Sequence, residues 1–194
     1  MEHAHQFQTE VDQVRNHCGY FSLEDWCVIS AKGKETFSSL QSQTTNDVLQ
    51  MQIGQGQNSA VTDRQARLIA NFSIHRMEED EALILVETSL KDTLLNHLEN
   101  YHFREEVEFS TLDGQLMAIQ GPKSSLILEK VFNQKNLLEK PNDILKLTLG
   151  KHQVNLIIKS LTGEEGYILC FQNEFKDALM QKFLETETPP IKVS

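Results

Sequence analysis

The feature that most constrains the fold is a regular alternation of side chains in residues 68–75. The apolar set is Leu68, Ala70, Phe72 and Ile74, and the intervening set is Ile69, Asn71, Ser73 and His75. A period of two sends successive side chains to opposite faces of a strand. One apolar face and one mostly polar face are typical of antiparallel sheets. The segment 67–77 is therefore predicted to be one strand of a hairpin whose other strand is 57–62.

The remaining segments predict more strands joined by hairpins, with helices at intervals. Further strands are predicted at residues 26–31, 82–86, 107–111, 115–119, 144–149, 152–159 and 167–171, and helices from near residues 34, 89, 122 and 173. A doubly wound nucleotide-binding fold would need alternating strands and helices and a glycine fingerprint after the first strand, and neither is present. The prediction is an α+β protein with antiparallel sheets.

Composition excludes several classes of partner. The chain has 194 residues and a net charge of −10, and its basic residues are scattered. Nucleic-acid binding needs clustered Lys and Arg, so no direct nucleic-acid partner is expected. No run of 18 apolar residues and no signal-peptide pattern occurs, so we expect a cytoplasmic protein without a membrane partner, and a monomer.

Side chains that commonly carry catalysis are dispersed. Three cysteines, Cys18, Cys27 and Cys170, lie far apart and form no C-x-x-C pair, so we expect reduced thiols. Most of the seven histidines are isolated, whereas a metal site needs three or four convergent ligands. No Ser/His/Asp order or phosphate-binding loop is present. We therefore predict no metal site and assign no catalytic residue.

Four segments occur in an order that resembles the YgfZ-type folate-binding proteins, relatives of the glycine-cleavage T-protein, an aminomethyltransferase. They are Leu40–Val48 with its Thr-Thr-Asn-Asp turn, the hairpin Ser59–Arg76 around Asp63-Arg64-Gln65-Ala66, Gln120–Ser124, and Leu161–Tyr167. The last is similar to the T-protein's Tyr-Thr-Gly-Glu-Asp-Gly-Phe turn. The resemblance spans roughly residues 22–184, nearly the whole chain.

The resemblance implies a division of the chain. The polar and charged residues 1–19 are compatible with a helix or a loosely held arm, and residues 1–21 are assigned to this N-terminal arm. By resemblance, residues 22–185 would be a folate-binding domain of two packed, interleaved lobes, the second starting near residue 115. The C-terminal barrel of the T-protein is absent. The YgfZ motif Lys-Gly-Cys-Tyr-x-Gly-Gln-Glu does not occur before Ser194, so either the chain is a fragment, with the polar tail 186–194 as the expected truncation point, or this homologue has lost that region.

The same resemblance implies a site for tetrahydrofolate or a derivative. The polar side of the 67–76 strand would face a channel bordered also by the 43–47 turn and the 161–167 turn. The candidate folate-binding residues are Asn71, Ser73, Gln43, Asn46, Asp47 and Tyr167, the last as an aromatic wall. Burying Ala70 and Phe72 is expected to leave Asn71 and Ser73 facing outward.

Three positions depart from the T-protein pattern. Ala70 and Asn71 stand where that family carries an aspartate pair, one of which is its catalytic acid/base group, and an amide does not exchange a proton near pH 7. Leu161 replaces the tyrosine that begins the T-protein turn. Ile168 stands where a glutamate holds the pterin ring.

Three functions are compatible with this pattern. The first is a YgfZ-type tetrahydrofolate-binding protein that supports iron–sulfur cluster assembly or repair in client proteins, including tRNA-modifying enzymes. The second is an aminomethyltransferase that transfers a one-carbon unit to tetrahydrofolate. The third is a domain that has kept the fold and lost folate binding.

Overall fold

The computed structural model describes residues 2–101, 104–135, 137 and 140–186, with the backbone alone for residues 2–7. The helices are α1 Glu2–Asn16, α2 Thr36–Gln43, α3 Thr88–Asn100, α4 Ser124–Phe132 and α5 Lys176–Glu185, with a 3₁₀ turn at Asn173–Phe175. The strands are β1 Gly19–Ser22, β2 Trp26–Lys32, β3 Gly56–Thr62, β4 Leu68–Glu78, β5 Glu81–Glu87, β6 Glu108–Thr111, β7 Gln115–Gln120, β8 Ile144–Leu149, β9 His152–Ile158 and β10 Gly166–Phe171.

The strands of the described chain form two five-stranded sheets. Their orders are β1-β7-β10-β9-β8 and β3-β4-β5-β2-β6. The pairing is antiparallel between β1 and β7, β7 and β10, β10 and β9, and throughout the second sheet. This confirms the predicted α+β class. No barrel is formed by the residues that the structure describes.

The first sheet belongs to a compact unit, unit 1, built from three chain segments. They are residues 1–23, 113–140 and 145–194. One face of this sheet packs against α4 and α5, and its core includes Leu128, Phe132, Leu179 and Phe183. The opposite face is also buried, since Ala118 and Ile168 are fully shielded from solvent.

The second sheet belongs to unit 2, which consists of residues 24–112 and 141–144. As predicted, Ala70, Phe72 and Ile74 of β4 lie in the core beneath α2 and α3. The prediction is wrong for Leu68, which is 64% exposed, because a register shift at Val61/Thr62 interrupts the alternation and Ile69 packs against the core instead. Phe37 and Leu40 of α2 join that core. Burial of each large side chain contributes about 1.5–3 kcal/mol.

Two elements lie in the segment that sequence analysis treated as an arm. Glu2–Asn16 forms α1, and Gly19–Ser22 forms β1 at the edge of the first sheet. Tyr20 is 6% exposed and packs in the core of unit 1, so the arm boundary at residue 21 cuts through a strand. A four-residue edge strand carries too short an alternation to be recognised.

The connection between β9 and β10 is organised by a buried glutamine. Gln120 is fully buried; its Nε2 donates to the Lys159 carbonyl at 3.0 Å, and its Oε1 accepts from the Leu161 amide at 2.9 Å. A Cβ at Gly166 would collide with the Gln120 amide, so glycine is needed there. A second contact to the same connection comes from α1, where Arg15 donates to the Thr162 carbonyl at 3.2 Å.

Some expectations concern residues that the structure does not describe. Of the tail expected at residues 186–194, only Thr186 is among the described residues. The assignment of residues 22–185 to one folate-binding domain stays a prediction.

Among the described helices, none combines the length and apolar character needed to cross a membrane.

Replacing Gln120 with Leu should destabilise unit 1 by about 2–3 kcal/mol, because buried backbone groups at Lys159 and Leu161 lose their partners. Gln115→Leu is the matched control, since Gln115 makes an exposed side-chain bond to Asn173, and it should change stability by less than about 0.5 kcal/mol. Urea denaturation measures both variants, and hydrogen exchange of the Leu161 amide should accelerate only in Gln120→Leu. Equal effects of the two substitutions would contradict this role of Gln120.

Candidate functional site

The polar turn that follows α2 is bonded to the free edge of β3. The Thr45 amide donates to the Ala60 carbonyl at 3.0 Å, and the Ala60 amide donates to Thr45 Oγ1 at 3.1 Å. Asn46 Nδ2 donates to the Asn58 carbonyl at 2.6 Å. These bonds occupy the outer edge of a strand that would otherwise present unpaired backbone groups. The turn therefore extends the sheet by one short segment.

Local hydrogen bonds also hold the residues that follow the turn. Asp47 Oδ1 accepts from the Leu49 amide at 3.1 Å, and Gln41 Oε1 accepts from the Val48 amide at 2.8 Å. A side-chain oxygen that bonds the backbone two residues ahead is the usual way in which Asp stabilises a turn. Asn46 and Asp47 are both exposed, so a solute can reach them.

Asn71 lies on the other side of β3 from this turn. It is exposed, and its register partner in β3 is Ala60, the residue to which Thr45 is bonded. Adjacent strands are about 4.8 Å apart, so the turn and the Asn71 backbone are separated by roughly 10 Å. The structure thus brings Asn46, Asp47 and Asn71 to the same margin of unit 2.

Ser73 does not face outward, and the expectation that it does is wrong. Ser73 and His75 are both 0% exposed, and Ser73 Oγ lies 3.0 Å from His75 Nε2. His75 Nδ1 donates to the Asn142 carbonyl at 2.8 Å, because a carbonyl can only accept. The segment 141–144 therefore closes against β4 at this point. Gly56 permits the approach, since a Cβ there would collide with the Asn142 carbonyl.

Tyr167 lies in unit 1, where its ring is part of the core. The side chain is 5% exposed, and its hydroxyl donates to Glu165 Oε1 at 3.1 Å. Burial, reinforced by the Glu165 carboxylate, raises the pKa of Tyr167 well above its usual range. The Tyr167 ring is packed in the core of unit 1, so it does not form the exposed aromatic wall that was expected.

The two other departures from the T-protein pattern are structural residues here. Ile168 is fully buried and pairs in register with Ala118 and Ile157. The Leu161 side chain is 36% exposed, and its backbone amide is bonded to Gln120. Neither position offers the carboxylate that would pair with a pterin ring.

Four buried polar atoms near the turn have no hydrogen-bond partner within the described part of the chain. They are Gln43 Oε1, Thr44 Oγ1, Gln57 Nε2 and Ser59 Oγ. Gln57 and Ser59 share the face of their register partners Ile74 and Phe72, the face that α2 covers. Gln57 and Ser59 therefore lie on the opposite face of β3 from Asn71, and their unpartnered atoms do not adjoin the Asn71 amide. Buried polar atoms are normally satisfied by protein, water or ligand.

The arrangement offers binding groups and no proton-transfer group at Asn71, because an amide side chain does not titrate near neutral pH. The thiols are poor nucleophiles: burial raises the pKa of Cys18 and of Cys27, and raises the pKa of Cys170 to about 12. Within the described residues, no group of three His, Cys, Asp or Glu side chains is placed to hold a metal ion.

Sequence reasoning missed three residues that organise these regions. Gln120, Glu165 and His75 each bond segments distant in the chain. Gln120 lies within the segment Gln120–Ser124 that resembles the YgfZ-type proteins, but no structural role was predicted for its side chain. A buried glutamine and a buried histidine are recognisable only when the chain that covers them is known.

Comparison with known proteins gives the same fold. Residues 1–190 match the family described as GCVT N-terminal domain. An aminomethyltransferase of Thermus thermophilus is 25% identical over 179 residues, 91% of this chain and 51% of that protein. One of Bdellovibrio bacteriovorus is 28% identical over 159 residues, 81% of this chain and 44% of that protein. The chain spans about half the length of these relatives.

Two solved structures are also similar. The glycine cleavage system aminomethyltransferase T from Bartonella henselae superposes with a TM-score of 0.84 at 19% identity, covering 93% of this chain and 49% of that one. A chain of the heterotetrameric sarcosine oxidase from Corynebacterium sp. U-96 has a TM-score of 0.62 at 14% identity, with coverage of 97% and 95%. At such identities the likeness shows the fold. From the match over residues 1–190, the chain belongs to the GCVT N-terminal domain family.

Proposed function

We propose that this chain binds tetrahydrofolate, or a derivative, as the folate-binding part of a YgfZ-type protein. One observation carries the proposal: the 43–47 turn is hydrogen-bonded to β3 beside exposed Asn71, with a buried and unpartnered amide oxygen on Gln43. The candidate residues are Asn71, Gln43, Asn46 and Asp47. Ser73 and Tyr167 are left out because the structure buries both against other partners.

The chemistry of these residues favours recognition over catalysis. Gln43, Asn46 and Asn71 are neutral donors and acceptors, suited to the amide and amino groups of a folate ring. Tetrahydrofolate, when bound, supplies nitrogens that carry a one-carbon unit. This chain's own residues at the site would orient that ring, and none of these three would move a proton.

The cellular role is proposed from the resemblance of the four sequence segments. We propose that the whole protein is cytoplasmic and supports iron–sulfur cluster assembly or repair in client enzymes, including those that modify tRNA. Residues 22–185 would be its folate-binding domain, and it would act as a monomer. The YgfZ-like order of the motifs supports the iron–sulfur role, and the match to the GCVT N-terminal domain family supports the folate-binding domain.

An aminomethyltransferase is the second candidate, favoured by the names of the relatives from Thermus and Bdellovibrio. Against it stands Asn71, which replaces the acid/base aspartate with an exposed amide. A domain without folate affinity is the third candidate. Buried Ile168 favours this third candidate, because an isoleucine has no carboxylate with which to bind a pterin ring. Calorimetric titration with tetrahydrofolate separates this third candidate from the others.

Asn71→Ala should weaken tetrahydrofolate binding by about 1 kcal/mol, roughly fivefold, the scale of one lost hydrogen bond. Its free energy of unfolding should change little because the side chain is exposed. Ser73→Ala is the contrasting variant: it breaks a buried bond to His75 and should cost about 1–3 kcal/mol of stability while affinity is kept. Titration calorimetry and urea denaturation of both variants test this. Unchanged affinity in Asn71→Ala would remove Asn71 from the site.

The wild-type chain should show no aminomethyl transfer to tetrahydrofolate above the uncatalysed rate. General acid/base groups typically contribute about 10²–10⁴-fold, and the amide of Asn71 cannot supply that factor. The assay uses an aminomethylated carrier and follows formation of the methylene derivative, with a relative's full-length aminomethyltransferase as positive control. Turnover with Asn71 in place would favour the aminomethyltransferase candidate.

A further inference from the structure

The two units arrange their elements in the same order around their sheets. In unit 2, β2 is followed by α2, then by β3, β4 and β5, then by α3, and the sheet order is β3-β4-β5-β2-β6. In unit 1, β7 is followed by α4, then by β8, β9 and β10, then by α5, and the sheet order is β8-β9-β10-β7-β1. Helix α4 therefore corresponds to α2, and strand β8 corresponds to β3.

Matching hydrogen bonds at the start of the two helices fix this correspondence to the residue. The Gly33 carbonyl accepts from the Thr36 amide at 3.0 Å, and the Gly121 carbonyl accepts from the Ser124 amide at 3.0 Å. Thr36 and Ser124 are the first residues of α2 and α4, and both are fully buried. The two helices can therefore be compared position by position.

The C-terminal ends of these helices differ in polarity. Val131 and Phe132 end this stretch of α4, and both lie in the apolar core of unit 1. Counted from the first helical residue, the same two positions in unit 2 are Gln43 and Thr44. Each carries a buried side-chain oxygen that has no hydrogen-bond partner among the described residues.

The strands beneath the helices differ in the same way. On the core face of β8, Leu147 belongs to the core of unit 1 and Leu145 packs against it. On the core face of β3, Gln57 Nε2 and Ser59 Oγ are buried without a partner in the described part of the chain. Unit 1 thus fills this region with apolar side chains of one core, whereas unit 2 places four polar atoms in the corresponding region. The correspondence indicates that these four atoms converge between the end of α2 and β3.

Four unsatisfied polar atoms would cost a large share of the stability of a domain. Proteins normally satisfy such atoms with ordered water, and a buried water makes about three hydrogen bonds. The four atoms suit this role because Gln43 Oε1 accepts, Gln57 Nε2 donates, and the hydroxyls of Thr44 and Ser59 do both. A polar site between a helix end and a strand therefore holds water, whereas its apolar counterpart in unit 1 is closed by side chains.

We infer that unit 2 contains an internal hydration site between the C-terminal end of α2 and β3, bounded by Gln43, Thr44, Gln57 and Ser59. Its ligand is water, about one or two molecules for four polar atoms. The water joins the end of α2, where the 44–47 turn begins, to the core face of β3. This inference goes beyond the proposed function and needs no folate. Since Gln43 is also a candidate for the folate site, the test leaves it unchanged.

The experiment counts long-lived waters by ¹⁷O relaxation dispersion of the water signal, on the full chain without ligand. The signal comes from oxygen, so exchanging hydroxyl protons do not contribute. The variants are Ser59→Ala and Gln57→Leu. Ser124→Ala is the matched control because Ser124 is also a buried serine, but its Oγ already donates to the Gly121 carbonyl at 2.7 Å. Thermal unfolding gives the Tm of each variant.

Ser59→Ala and Gln57→Leu should each lower the count of long-lived waters by about one. Each should also lower Tm by about 2–4 °C, because hydrogen bonds to the water are lost. Ser124→Ala should keep the wild-type count, although its Tm should fall because a buried hydrogen bond to the protein is removed. A loss of water in either test variant but not in the control supports the inference.

A water count that falls in neither test variant would overturn the inference. If Tm then rises, the site is dry, because replacing unsatisfied polar atoms with apolar groups stabilises a protein. An equal loss of water in Ser124→Ala would also overturn it, since the lost water would not be specific to this site. None of these results bears on the proposed function, because every measurement is made without folate.

Discussion

The candidate site depends on the hydrogen bonding of one small residue, Ala60. On one side its backbone exchanges two hydrogen bonds with Thr45, and on the other it stands in register with Asn71. A turn from residues 44–47 and a strand beginning at residue 68 are thereby held at a fixed separation across a single strand. Without either contact, the 44–47 turn and β4 would no longer be held at a fixed distance from each other. Recognition of a flat, hydrogen-bonding ring needs such preorganisation, because ordering the side chains on binding costs affinity.

The chain is interleaved, and this arrangement determines which polar residues remain available. The short segment 141–144 returns to unit 2 from a chain otherwise committed to unit 1, and its Asn142 carbonyl bonds His75. Ser73 and His75 then satisfy each other in a fully buried position, while Asn71, two residues earlier, stays exposed. A single strand face is thus divided into a closed polar part and an open one. The proposed folate site uses the open part.

Much of the fold was predictable from local patterns, and the site was predicted less completely. The alternation of Ala70, Phe72 and Ile74 identified the core face of β4. Pattern and motif fix which face of a strand is apolar, but the exposure of a polar residue depends on what the rest of the chain lays over it. Ser73 was expected to face outward because its strand position is polar, yet a residue 67 positions beyond His75 bonds that histidine and closes this part of the face. Tyr167 was likewise expected to line the site, but its register in β10 places the side chain in the core of unit 1.

The central claim is that unit 2 of this chain binds tetrahydrofolate at the turn and hairpin around Asn71. Its most direct test is a titration of tetrahydrofolate into the ¹⁵N-labelled chain, followed by amide chemical shifts in NMR spectra. The account predicts that the shifts concentrate at Asn46, Asn58, Ala60, Leu68 and Asn71, and that they saturate with one equivalent. Saturable shifts confined to unit 1, for example along β8 and β9, or no saturable shifts at all, would contradict it.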